Sequence, residues 1–223
     1  MRTIVFDVNE TLLDISALDS HFERIFGDAA IRREWFMQVI LSAMTLTALQ
    51  KYTDFGSVGR HALTLVAARR NVALSEKDVQ QISQNMRKLP AHQEVPAALE
   101  RLKSAGFRLV ALTNSSADMV QSQLSSAGII DYFEKVLSVD GVRQFKPVRE
   151  VYEMAATELH LPPQQLIMVA AHEWDTSGAI NAGWSAAFVA RPGMVAGPLS
   201  AETEFSGRDL LEIADQLIAA EKP

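Results

Sequence analysis

The chain has 223 residues, is 48% apolar and 22% charged, carries a formal net charge of −6 and contains no cysteine. That length accommodates one α/β domain with a large insertion or two small domains, and the composition is ordinary for a globular protein. The missing cysteines exclude disulfides, thiolate metal sites and thiol nucleophiles, and the acidic balance argues against nucleic acid as a partner.

The chain opens on an apolar strand over 2–8 that carries Asp7 towards its end, followed by Asn9 and Thr11. An unpaired buried carboxylate is costly to desolvate, so an aspartate at a strand end invites a functional explanation. Because strand pattern begins at once, without a charged-then-apolar leader, a cytoplasmic location is expected. No apolar run is long enough to span a membrane, so no membrane partner is expected.

Residues 15–90 break the strand rhythm and read as helical throughout, with Ser75–Asp78 as a capping-box-like helix start and Pro90 marking its end. Beyond it, helices are expected near 94–105, 116–127, 148–160, 175–183 and 208–220. Strands are expected at 107–112, 135–139, 166–171 and 186–190. Gly106, Gly128 and Gly183 stop helices, and Pro162–Pro163 separates a helix from a strand. Alternating helices and nearly all-apolar strands predict a Rossmann-like, doubly wound parallel α/β sheet covered on both faces. The domains expected are a core of 1–14 plus 91–223 and a helical cap of 15–90, inserted after the first strand over the sheet's ligand-binding end.

Four polar groups fall at predicted strand ends: Asp7 with Asn9 and Thr11, Thr113–Asn114–Ser115–Ser116, Lys146–Pro147 with Tyr152, and His172–Glu173–Trp174–Asp175. Each has an ordinary structural reading: a turn-capping aspartate, helix-capping serines, a solvated loop lysine, an aspartate N-cap. Their order at successive strand ends gives them joint weight.

In these residues the chain resembles the haloacid dehalogenase superfamily, and within it the type II 2-haloacid dehalogenases. The likeness runs through the Asp7-to-Thr11 loop, Leu112–Thr113–Asn114, Ser138–Val139–Asp140 with Lys146–Pro147 and Val151–Tyr152, and Trp174–Asp175 with Gly178–Ala179. It implies that Asp7 attacks C2 of a small anionic (S)-2-haloacid, expels halide and forms an ester. Water then hydrolyses the ester, leaving the inverted 2-hydroxy acid. Lys146 would hold Asp7 and the substrate anion, Asp175 would orient or deprotonate water, and Thr11 would order the loop. Thr113 and Asn114, with the backbone N–H groups after them, would take the substrate carboxylate. Asn9, Phe55, Tyr152 and Trp174 would line or support the pocket. No cofactor or metal is implied, and the branch commonly forms homodimers.

Asn9 discriminates, because superfamily phosphatases carry there an aspartate that protonates an alkoxide leaving group, and a halide needs no proton. The alternative is a hydrolase of another small acid or of a phosphate ester, the latter with Mg²⁺ held by Asp7 with Glu173 and Asp175; a third reading is a catalytically impaired relic. Two departures from the branch stand out. Phe36 falls where an arginine grips halide and carboxylate, with Arg32 and Arg33 one turn back, and Ala170–Ala171–His172 replaces serines and an asparagine. His172 either assists a poor leaving group such as fluoride or only fills space and orders Asp175. His21, His61, His92 and His160 lack metal-ligand spacing and read as surface or cap residues.

Overall fold

In a computed structural model, residues 1–221 are described; the last two positions of the expected core segment lie outside them. Six parallel strands form one sheet in the order β3-β2-β1-β4-β5-β6. Strands β1 (Thr3–Phe6), β2 (Leu109–Thr113) and β4 (Leu166–Ala170) are buried at every position. Helices on both faces cover them, which is why these strands read as continuous apolar runs. β5 (Ser185–Val189) is buried from its second residue, whereas β3 (Lys135–Ser138) lies at an edge and is largely half-buried. The other edge is β6 (Phe205–Gly207), which the sequence reading missed. Three residues with a glycine and an exposed serine carry no strand periodicity. Only pairing with β5 makes them a strand.

Between β1 and β2 the chain forms α1 (Asp19–Phe26), α2 (Ile31–Ala48), α3 (Phe55–Arg69), α4 (Glu76–Met86) and α5 (Val95–Ser104). The Ser75–Asp78 capping box is present at the start of α4. Helices α2 and α3 join through Trp35, whose indole N–H donates to the Gly59 carbonyl at 2.9 Å, and Phe22 packs 5.3 Å from Trp35 between ring centres. The chain's two crossings beside β1 are hydrogen-bonded to each other: Asp14 N–H donates to Pro90 O at 2.8 Å and His92 N–H to Leu12 O at 3.0 Å.

The remaining helices are α6 (Ala117–Ser126), α7 (Arg149–Leu159), α8 (Glu173–Asn181) and α9 (Leu210–Glu221). Gly106, Gly128 and Gly183 all adopt positive φ just after a helix, as their stop role requires. One boundary needs correction. Helix α8 starts two residues earlier than expected, with His172 at the N-cap and Asp175 inside the first turn. Asp175 is therefore not the cap, and its carboxylate is directed elsewhere. Among the described residues no helix is long and apolar enough to cross a membrane.

Gly178 of α8 is a tight contact behind this region. A Cβ there would lie 2.5 Å from the Tyr152 hydroxyl oxygen and 2.9 Å from the Pro147 carbonyl oxygen. Gly178→Ala is expected to lower the unfolding free energy by about 1–3 kcal/mol through overpacking. Urea denaturation measures it, and a change below 0.5 kcal/mol (order-of-magnitude threshold for a neutral surface change) would contradict the packing described.

Candidate active site

Chain order reverses across β1, because β2 lies on one side and β4 on the other. Loops leaving these neighbours diverge and open a crevice at the strands' carboxyl ends. Asp7 is the first residue beyond β1, and its backbone N–H donates to Val169 O on β4 at 3.1 Å. The tight turn after it is closed by Leu12 and Leu13 N–H groups, both donating to Val8 O. Thr11, within that turn, donates its hydroxyl to Asp7 Oδ2 at 2.7 Å and accepts from Ala171 N–H at 3.0 Å.

Lys146 is the centre of the site and is completely enclosed. Its ammonium donates to Asp7 Oδ1 at 2.9 Å, to Asp175 Oδ2 at 2.6 Å and to Leu112 O at 2.9 Å, so all three protons are placed. Its backbone N–H donates to Asn114 Oδ1 at 2.9 Å, and the neighbouring Phe145 N–H donates to Thr47 Oγ1 at 3.0 Å. The lysine loop is thus fixed from the sheet on one side and from the end of α2 on the other. Asp175 Oδ1 accepts from the Tyr152 hydroxyl at 2.7 Å.

Burial alone would raise the Asp7 pKa, but the Lys146 ammonium and His172 outweigh it and hold the carboxyl well below the usual range. Burial likewise raises Asp175, and here repulsion from Asp7 helps leave it above its ordinary value despite Lys146. Desolvation opposes the charge on Lys146, yet the two carboxylates push its pKa up. Asp7 is therefore the more readily ionised carboxyl of the two.

His172 has an environment the sequence did not disclose. Its Nε2–H donates to Glu10 Oε2 at 2.9 Å, while Nδ1 stands 3.4 Å from Asp7 Oδ2 without hydrogen-bond alignment. The ring stacks with Trp174, at 4.9 Å between ring centres, and with Phe36, at 6.0 Å. Burial disfavours its cation, but the carboxylates of Asp7 and Glu10 offset this and push the pKa up to about 9. The two stacked aromatic rings also suit an imidazolium.

Asp7, Thr11, Lys146, Tyr152, His172 and Asp175 thus form one connected network, and Asn114 braces it. Other expected site residues are engaged differently. Asn9 donates to Ser115 Oγ at 3.2 Å and accepts from Gln123 Nε2 at 3.1 Å, so its amide braces α6 against the Asp7 loop. Thr113 accepts from Ser115 N–H at 3.1 Å, which occupies one of the backbone donors expected to face a substrate. Phe55 packs 5.8 Å from Phe145 and lines an apolar cavity with Trp35, Phe36, Val39, Leu63 and Met86. Arg32 is buried and paired with Asp19 at 2.5 Å and Glu10 at 3.5 Å, and Arg33 is exposed. His92 is half-buried, not a surface residue, and its ring donates to the Glu10 carbonyl at 3.2 Å.

Sequence reasoning missed Glu10. It is buried, has φ 65°, and links His172 to Arg32. A glutamate directly before the loop threonine was the available signal, but nothing in the sequence reveals a left-handed backbone.

The carboxylates do not fit a divalent cation. Lys146 Nζ already lies between Asp7 and Asp175, and Glu173 accepts from Gly197 N–H at 2.7 Å and from the Ser200 hydroxyl. Among the described residues no group of three or more acidic, histidine or cysteine side chains is placed to hold a metal ion.

A family model for haloacid dehalogenase-like hydrolases matches residues 1–183. The chain belongs to this family. An (S)-2-haloacid dehalogenase of Pseudomonas putida is 29% identical over 217 residues, covering 96% of this chain and 97% of the relative. A second P. putida (S)-2-haloacid dehalogenase is 26% identical, covering 98% and 97%. The solved L-2-haloacid dehalogenase of Xanthobacter autotrophicus superposes with TM-score 0.91 at 25% identity, with full coverage of both chains. Sheet and helical insertion alike are therefore those of this haloacid dehalogenase-like family.

The raised His172 pKa predicts how stability depends on pH. Its stabilising contribution is complete below the unfolded value of about 6.5 and disappears as pH rises through the folded value of about 9. Urea unfolding of the native chain should weaken by a few kcal/mol between about pH 6.5 and 9.5 more than that of His172→Gln. Parallel pH curves for the two proteins would contradict a charged His172.

Proposed function

We propose that this chain is an (S)-2-haloacid dehalogenase, converting a short 2-haloalkanoate to the inverted 2-hydroxy acid through an ester on Asp7. The carrying observation is the Asp7 carboxylate, kept ionised by a fully enclosed Lys146 in a crevice whose carboxylates do not fit a metal. In this reading an Asp7 oxygen attacks C2 in line, the C–O bond forms as the C–halogen bond breaks, and halide departs with the electron pair. Water then attacks Cγ of the ester, and the Cγ–O bond breaks.

Lys146 and His172 supply positive charge at the centre of a protein of net charge −6, which the carboxylate of the substrate needs. Thr113, the last residue of β2, and Asn114 directly after it provide further polar contacts. Asn9 supports a halide over an alkoxide leaving group, since its amide is tied to Ser115 and Gln123 and has no proton to deliver. Phe36 in place of an arginine is consistent with its neighbour: a guanidinium stacked on an imidazolium would repel it, whereas an aromatic face attracts it.

The division into a 1–14 plus 91–223 core and a 15–90 cap belongs to the same proposal, as does a homodimer. Met37 and Leu41, one turn apart on α2, are both exposed apolar side chains. Light scattering should give twice the chain mass, and Met37→Glu/Leu41→Glu should return it to one; a native monomer would refute the dimer.

The activity is tested with (S)-2-chloropropionate in ¹⁸O-water and no added metal. Chloride release and ¹⁸O in Asp7 after a single turnover are expected, and Asp7→Asn should lower turnover by at least about 1,000-fold. Absence of halide release from any 2-haloacid, together with Mg²⁺-dependent cleavage of a phosphate ester, would overturn the assignment.

A further inference from the structure

Glu10 and His172 form a buried pair beside Asp7. Glu10 adopts φ 65°, a region that disfavours residues larger than glycine or asparagine, yet it is buried and carries a carboxylate. That carboxylate accepts from His172 Nε2–H at 2.9 Å and is backed by Arg32 at 3.5 Å. On the other side of the ring, Nδ1 is fully enclosed, has no hydrogen-bond partner among the described residues and stands 3.4 Å from Asp7 Oδ2. A carboxylate that fixes the Nε2–H tautomer leaves Nδ1 as the nitrogen that exchanges a proton with a reacting atom.

From this geometry we infer that His172 is the general acid of ester hydrolysis, delivering the Nδ1 proton to the departing 2-alkoxide of the hydroxy acid, with Glu10 as its positioning residue. The inference rests on the dehalogenase reading and concerns its second half.

Contact with the nucleophile's own carboxylate assigns His172 to this step. In an in-line displacement the halide leaves from the far side of C2, away from the attacking oxygen, whereas hydrolysis breaks a bond to an oxygen of Asp7 itself. A cation beside Asp7 also makes it a weaker nucleophile, so the charge hinders the first step and is useful in the second.

The protons balance. Water attacks Cγ and gives one proton to Asp175, and the Cγ–O bond breaks as His172 Nδ1–H protonates the leaving oxygen. Asp7 is released as the neutral acid and returns its proton to His172, and Asp175 passes its proton to solvent. The sum is ester plus water giving carboxylate, hydroxy acid and one released proton.

Acidity changes at the right stage. In the free enzyme the Asp7 carboxylate strengthens the hold on the imidazolium proton, alongside Glu10. Esterification removes the Asp7 charge, so His172 becomes a stronger acid only after the bond it must help break has formed. The other groups around the ring are Lys146 across Asp7, Asp175 and Glu173 on α8, and Arg32 of α2 and His92, both attached through Glu10.

Rapid-quench kinetics of His172→Gln and Glu10→Gln with (S)-2-chloropropionate test the assignment, alongside intact-protein mass and peptide mapping of Asp7. At saturating substrate, where any loss of affinity for the substrate carboxylate is removed, His172→Gln should release one chloride per site in the first turnover within about threefold of the native rate. Subsequent turnover should fall by about 100-fold, with the substrate mass accumulating on Asp7. Glu10→Gln should accumulate the same ester to a smaller extent, and its turnover should be lost at lower pH than in the native enzyme, because the acid form of His172 is less well held. Equal slowing of chloride release and turnover without ester, no slowing at all, or a Glu10→Gln pH limb in the native position would overturn the inference while leaving the dehalogenase reading intact. A native enzyme that releases no halide overturns both. Should His172→Gln fail to fold, the Glu10→Gln ester and pH limb decide.

Discussion

The buried Lys146 ammonium, held between Asp7 and Asp175, is the interaction on which the rest of the site depends. Two carboxylates this close, both removed from water, would repel each other and neither would stay charged without a cation between them. One lysine resolves that conflict. It leaves Asp7 ionised and gives Asp175, the more deeply enclosed partner, the raised pKa of a proton acceptor. The ammonium also makes a full set of three bonds, one of them to the main chain of β2, so its position is as rigid as the sheet.

Much of the surrounding fold serves to keep that ammonium in place. Asn114 holds the lysine's own N–H, and Thr47 holds the preceding one from the end of α2. Tyr152 reaches from α7 to Asp175, and Gly178 lets α8 approach Tyr152 and Pro147 where any side chain would collide. Elements from both the parallel sheet and the helical insertion therefore meet at one charged group. Where a buried charge is fully bonded, displacing any of these supports exposes an unpaired ion and is strongly destabilising.

His172 adds a second cation, supported on different terms. Its charge is stabilised by Glu10 and Asp7 at the ring edge and by Trp174 and Phe36 at the faces. The phenylalanine at position 36 and the histidine at 172 fit together physically, because an aromatic neighbour tolerates the imidazolium that an arginine would repel. Positive charge beside Asp7 thus comes from Lys146 and His172, while Arg32 is paired with Glu10 and Asp19.

Periodicity and punctuation in the sequence were enough to determine the parallel α/β architecture, the helical segment after the first strand and most element boundaries. Apolar strands covered on both faces leave an unbroken local pattern, and glycines with positive φ mark helix ends. The sequence also identified Asp7, Lys146 and Asp175 as a set, through their positions at strand ends. It did not reveal β6, whose three residues become a strand only by pairing with β5. Nor did it reveal that Asn9 and Thr113 bond within the protein, or that Asp175 lies inside its helix. Above all it was silent on Glu10. A glutamate in a turn is unremarkable until the backbone is seen to be left-handed and the side chain to meet a histidine 162 positions away. Local pattern determines which segments form; only the tertiary structure decided which charges share one enclosed space, because a pKa and a proton's destination depend on neighbours that are distant in the chain.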